Sequence, residues 1–162
     1  MKNRKIKLDK RRRRENITDY KRRLILLKSR TTRLVVRKTN RYIILQLIES
    51  KNAQDRVVYS ANTKELLKYG WPKDKIGSLK SLAAAYLGGF LIGKKSEKLK
   101  NKVILDMGLI PNTKGSRVYA AVKGFSDSGR KIDYNKKVVP GEERFKTEEY
   151  AKIKESIDKN GR

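Results

Sequence analysis

The sequence predicts a single α/β domain with a mixed sheet in the order β-β-β-α-β-α, carrying a basic N-terminal arm and helix and a C-terminal helical extension. Three observations lead there. Between residues 34 and 60, three short runs rich in β-branched and aromatic residues follow one another. Their connections are too short for a crossover, which favours an antiparallel meander. Beyond them the apolar spacing becomes helical, and a fourth strand-like run at residues 103–107 lies between two helical segments. The length, 162 residues, suits one domain. The expected organisation is a basic arm over residues 1–17, the α/β domain over 18–130 and a polar extension over 131–162.

Residues 1–17 show no sustained periodicity and are expected to order only against a partner. Thr18 and Asp19 cap a helix running to about Lys28. Tyr20, Leu24 and Leu27 share one of its faces, while Lys21, Arg22, Arg23 and Lys28 cover the rest. Leu34, Val35 and Val36 form the first strand, leading through Arg37 and Lys38 into a tight turn at Thr39-Asn40-Arg41. Residues 42–48 are almost continuously apolar, as in a strand buried on both faces. A polar loop at 51–55 precedes the third run, 56–60.

Residues 63–69 form a short helix stopped by Gly70, and Trp71-Pro72 opens an exposed connector reaching Gly77. Ser78 or Ser81 caps the next helix, which carries Leu82, Tyr86, Leu87, Phe90, Leu91 and Ile92. Gly88 and Gly89 inside it cost roughly 1 kcal/mol each relative to Ala, which implies close approach of the helix backbone to the sheet. Residues 103–107 are expected to be a central strand ended by Gly108. Val118, Ala121, Val122 and Phe125 have the i, i+3, i+4, i+7 spacing of another helix, closed by Gly129. Thr147, Glu148 and Glu149 open a terminal helix with a thin stripe of Tyr150, Ile153 and Ile157.

Charge is the strongest functional signal. The chain carries 43 basic and 17 acidic residues, and 15 of its first 33 residues are Lys or Arg. Arg11, Arg12, Arg13 and Arg14 form an unbroken run. Like charges this close repel one another and bury nothing apolar, so the compensating negative charge must come from outside the chain. A nucleic-acid backbone supplies it at the highest density and rewards each neutralised phosphate by releasing counterions. Arg33, Arg37, Lys38, Asn40 and Arg41 surround the first strand and its turn. With Val36 turned inward, they are expected to form an exposed rim for phosphate and base contact. The alternative is an edge strand protected from aggregation by its charges. Tyr20 and Tyr42 are candidates for base stacking or for the core.

The chain has no Cys and no His, which removes disulfides, Cys/His zinc sites, thiol nucleophiles and imidazole catalysis. No cofactor is expected. The N-terminus lacks the apolar core of a signal peptide. The longest uncharged apolar stretch, residues 81–93, is shorter than the roughly 20 residues of a membrane span, so the protein is expected to be soluble. A basic protein on an anionic membrane ranks last, since no amphipathic apolar face accompanies the arm. Asp106, at the end of a strand, occupies a position where a metal-dependent nuclease can hold a carboxylate, but no second acid lies near a neighbouring strand end. That enzymatic reading is the alternative to a structural RNA-binding role; a salt bridge or cap accounts for Asp106 more simply. Trp71 serves as a partner contact or as an anchor of the connector. Residues 112–115 before a helix read as a turn, since they lack the Gly-rich spacing of a nucleotide site.

Several segments occur together in a specific order: the Arg11 to Arg14 run, Asp19-Tyr20-Lys21-Arg22-Arg23-Leu24, Leu27-Lys28-Ser29-Arg30 and Arg33-Leu34-Val35-Val36-Arg37-Lys38-Thr39-Asn40. Later come Leu67-Lys68-Tyr69-Gly70-Trp71, Ala84-Ala85-Tyr86-Leu87, Leu105-Asp106-Met107-Gly108-Leu109 with Pro111, and Gly115-Ser116-Arg117-Val118-Tyr119-Ala120-Ala121-Val122-Lys123-Gly124. Over residues 10–145 this resembles the 5S rRNA-binding large-subunit ribosomal protein family called L-eighteen, in its archaeal form. The resemblance implies a non-catalytic, cytoplasmic component of the large ribosomal subunit that attaches 5S rRNA at the central protuberance and also touches the large rRNA. It implies neighbours of the L-five and L-twenty-one-e families and no homo-oligomer. By matching motif it assigns RNA contact to Arg11, Arg12, Arg13, Arg14, Tyr20, Arg22, Arg23, Arg30, Arg37, Lys38 and Asn40. Relatives often have a Ser-Asn pair and then a His where this chain reads Thr39-Asn40-Arg41-Tyr42, and the resemblance is not expected to extend into the Lys-rich segment beyond Phe145.

Overall fold

The computed structural model describes residues 8–52, 54–99, 101–145 and 148–161. The chain runs α1 (Arg11–Arg14), α2 (Tyr20–Lys28), β1 (Arg33–Lys38), β2 (Ile43–Lys51), β3 (Gln54–Asn62), α3 (Leu82–Lys95), β4 (Ile104–Asp106), α4 (Arg117–Asp127) and α5 (Glu148–Asn160). The four strands form one mixed sheet in the order β3-β2-β1-β4. β1, β2 and β3 are the expected antiparallel meander, and β4 lies parallel to β1. β4 is therefore an edge strand and not a central one. The meander leaves only one side of β1 free, and the chain returning from α3 can pair nowhere else on that strand. Β-branched and leucine side chains of the two interior strands alternate between faces. Leu34, Val36, Leu45 and Leu47 enter the core beneath α3 and α4, while Arg33 and Val35 turn to the opposite face.

Ser81 caps α3 by accepting a hydrogen bond from the Ala84 amide at 3.2 Å. The helix is then buried along most of its length, from Ala84 to Gly93. At Gly88 an added Cβ would lie 2.9 Å from Leu45 Cδ1, the sheet contact the sequence implied. Gly89 differs from that expectation. Its Cβ would fall 2.0 Å from the Ala121 carbonyl oxygen, and a Cβ on Gly124 would fall 2.0 Å from that of Tyr86. The tightest approach is thus between helices α3 and α4. Gly124→Ala is expected to cost about 2 kcal/mol, because overpacking against backbone outweighs the roughly 1 kcal/mol gained in helix propensity. Thermal unfolding would show it as a fall of roughly 4–8 °C in Tm.

The segment after β3 is more ordered than a bare connector. Thr63–Tyr69 and Lys73–Ser78 are 3-10 helices. Asn62 and Glu65 build a reciprocal cap on the first, and Gly70, at φ +97°, ends it. Trp71 is 8% exposed, belongs to the core and donates its Nε1–H to the Lys75 carbonyl at 3.1 Å. It anchors the segment.

The C-terminal region is polar in composition yet completes the core. Ile132 bridges to Val103, and Phe145, Tyr150, Ile153 and Ile157 are all buried. Phe145 stacks on Tyr86 at 5.1 Å between centroids, while the Tyr86 hydroxyl donates to Asp127 at 2.6 Å. Burial first, then the charge of Asp127, pushes the Tyr150 hydroxyl up to about 12, with Tyr86's hydrogen bond working against the shift. The expected Tyr150, Ile153 and Ile157 stripe is present. Thr147, the proposed start of its helix, lies outside the described residues.

Candidate nucleic-acid interface

The arm's arginines occupy a single helical turn, where the sequence shows no periodicity. Four like charges in α1 would not hold a turn alone. Asp9 and Glu15 flank them, each 3.6 Å from Arg13 and Arg11 respectively. Such exposed pairs contribute roughly 0–1 kcal/mol, so all four guanidiniums are readily available to an outside anion. Asn16, at φ +51°, turns the chain back, and Arg12 Nε donates to Thr18 Oγ1 at 2.8 Å. The turn leads directly into α2.

Asp19 caps α2, accepting from the Arg22 amide at 3.1 Å, as expected. The expected Tyr20, Leu24 and Leu27 stripe is met in part: Tyr20 and Leu27 are half-buried, together with Arg23 and Leu26, but Leu24 is not. Leu24 is 53% exposed and Ile25 63%, and no residue of the helix is buried. Arg22 reaches in to the Gly108 carbonyl at 3.2 Å, and Arg23 reaches Asp55 at 2.9 Å. The reason lies in the surface beneath: it offers the Asp55 carboxylate and the Gly108 carbonyl as acceptors, and the two arginines turn toward them. Tyr20 is half-buried, with Lys10 Nζ 5.0 Å from its ring centroid.

Asp55 also pairs with Arg33, and here the expected exposed rim is corrected. Arg33 is 2% exposed. One of its nitrogens donates to Asp106 Oδ2 at 2.6 Å, and another reaches Asp55 Oδ1 at 2.8 Å and Ser50 Oγ at 2.9 Å. Burial alone would raise the Asp55 carboxyl. Hydrogen bonds from Ser50 and Arg23, with the Arg33 and Arg23 charges, overcome it and hold the group below its ordinary value. The stability it contributes is present above the unfolded carboxylate pKa and is lost as pH falls through the lowered folded value. Arg33 therefore clamps β1, β4 and the start of β3 together, and Asp106 is a salt-bridge partner. Among the described residues no cluster of carboxylates could hold a metal ion. The nuclease alternative gains no support from Asp106.

The rest of the rim matches expectation. Arg37, Lys38, Asn40 and Arg41 are exposed around a turn in which Thr39 and Tyr42 hydrogen-bond reciprocally at 2.8–2.9 Å. Arg30, at φ +52°, sits at the other end of β1. A six-residue strand at roughly 3.3 Å per residue keeps it about 20 Å from Arg37.

Two hollows organise these residues. The first, about 400 Å³, lies between α2, β1 and the loop after β4. Arg12, Arg22, Arg23, Arg33, Arg37 and Lys38 all line it, so six of the thirteen sequence-predicted residues converge there. Arg11, Arg13, Arg14, Tyr20, Asn40 and Arg41 do not line it. The second hollow, about 740 Å³, holds Arg30 with Lys51, Arg56, Asn101 and Lys102. Sequence reasoning missed these last four, and also Met107 to Ile110 in the first hollow. Lys51 and Arg56 bracket a hairpin, and their charge was the one signal available.

Known proteins resemble this chain closely. A family model described as ribosomal large subunit proteins 60S L5 and 50S L18 matches residues 4–101. The chain is 46% identical over 158 residues to the large ribosomal subunit protein uL18 of Korarchaeum cryptofilum, covering 97% of this chain and 79% of that protein, so the similarity runs past Phe145, where none was expected. It is 43% identical over 146 residues to the uL18 of Methanoregula boonei, covering 90% and 82%. To the uL18 of Aeropyrum pernix it is 41% identical over 149 residues, covering 91% and 68%.

Proposed function

The chain belongs to the L18 and L5 family of large-subunit ribosomal proteins, and from that premise we propose that it binds 5S rRNA and attaches it to the large rRNA at the central protuberance. As a family member it is a structural constituent of the large ribosomal subunit, where its partners are rRNA and other ribosomal proteins. The observation that carries the finer reading is the convergence of cations from α1, α2 and β1, Arg37 and Lys38 among them, on one hollow, with the exposed Arg41 in the adjoining turn. Phosphates are neutralised by the arm and α2, while the β1–β2 turn offers Asn40 and two basic side chains to exposed bases. Arg33 acts by holding the surface together, not by touching RNA. Proteins of the L-five and L-twenty-one-e families are the expected neighbours.

Footprinting of 5S rRNA with the full chain tests this reading. Protection is expected in a compact region of 5S rRNA at physiological salt, and an unrelated RNA of equal length should compete only in dilute buffer. Equal competition by the two RNAs would refute it.

A further inference from the structure

The hollow beneath α2 has two chemistries that are rarely combined. Its floor mixes the apolar side chains of Leu26, Val35, Ile48 and Met107 with the internally paired Arg33, Asp55 and Asp106, whereas Arg12, Arg22, Arg37 and Lys38 bring four further positive charges to it. A phosphate alone has no use for the apolar part of that floor. An apolar side chain from another protein has no use for the cations. A nucleotide uses both, because its base is flat and largely apolar on its faces and its backbone is anionic. Planar guanidiniums can also stack on a base.

α2 leaves room for such a ligand. No residue of the helix is buried, and it is held off the sheet by the polar contacts of Arg22 and Arg23. Leu109, 53% exposed, extends the apolar lining. Resting on the RNA-binding reading above, we infer that this hollow receives one nucleobase turned out of the RNA stack, with the adjoining phosphates on Arg12, Arg37 and Lys38. A paired base inside an A-form helix cannot enter. The occupant is an unpaired nucleotide of a loop or bulge, for which leaving the stack costs least.

Leu26→Trp fills the hollow from α2 and Leu109→Trp fills it from the loop, and neither alters charge. Circular dichroism checks folding, and Leu109, being exposed, gives a variant whose folding is not at risk. With full-length chain and 5S rRNA, affinity is expected to fall roughly tenfold in each variant while the salt slope stays that of the parent. Chemical probing of base edges should show one unpaired base protected by the parent chain and released in both variants. Parent-like affinity and footprint in the two variants would overturn the inference while leaving the proposed function intact. So would a flattened salt slope, which marks displaced cations and not a lost base. Normal 5S rRNA binding with impaired uptake into large subunits would identify a protein side chain as the occupant and overturn it too. Failure of the parent chain to bind 5S rRNA would remove the proposed function and the inference together.

Discussion

Asp106→Ala is expected to destabilise the protein by about 3–5 kcal/mol, the range for removing one partner of a buried ion pair. The size follows from which group is left behind. Arg33 is 2% exposed and cannot reach water, so losing Asp106 strands half of a guanidinium in the sheet. Arg33→Met is expected to cost less, about 1–3 kcal/mol. Asp55 and Asp106 are 31% and 14% exposed, and they keep hydrogen bonds from Ser50, Arg23 and the Gly108 amide. Urea denaturation of the two variants measures the order. A larger loss in Arg33→Met would show that the cation itself, and not its isolation, dominates. The lowered Asp55 carboxyl adds a pH signature. The parent should lose stability on acidification below about pH 4, where the unfolded carboxylate begins to take up protons. Asp55→Asn should flatten that loss.

The second large effect concerns RNA. Replacing Arg11, Arg12, Arg13 and Arg14 together with Ala should lower the log–log salt slope of 5S rRNA binding by about three to four. The four side chains are exposed, the carboxylates 3.6 Å from Arg11 and Arg13 hold them weakly, and Arg12 gives only its Nε–H to Thr18, so each guanidinium can neutralise one phosphate. The fold should be untouched, because α1 buries nothing. A filter-binding series across salt concentrations decides it. An unchanged slope would take the arm out of the interface.

The meander, the caps at Asp19 and Ser81 and the terminal stripe were legible because each depends on neighbours in sequence. What remained hidden depends on distant pairings. Nothing near Arg33 in the chain announces Asp106 or Asp55, so an arginine flanking an exposed-looking strand read as a surface cation. The same cause left α2 half legible. Tyr20 and Leu27 of its expected stripe are half-buried, but Asp55 on the surface beneath draws Arg23 inward while Leu24 stays exposed. Gly89 was legible as a close approach, although its partner, the Ala121 carbonyl of α4, was not. The polar C-terminal region concealed its role because Phe145, Tyr150, Ile153 and Ile157 are spaced among charges and bury only a thin stripe. The six cationic residues of the hollow beneath α2 were all named from sequence, whereas its apolar lining from the loop after β4 was not.

Asp106 follows Arg33 by 73 residues. At translation rates of about 5–20 residues per second, a newborn chain waits roughly 4–15 s before that carboxylate exists. Until then the hairpins can form, but the cation between them is only half answered. During that interval β1 has Asp55 but not its second carboxylate, so the seam between the meander and β4 is the last part of the sheet to close.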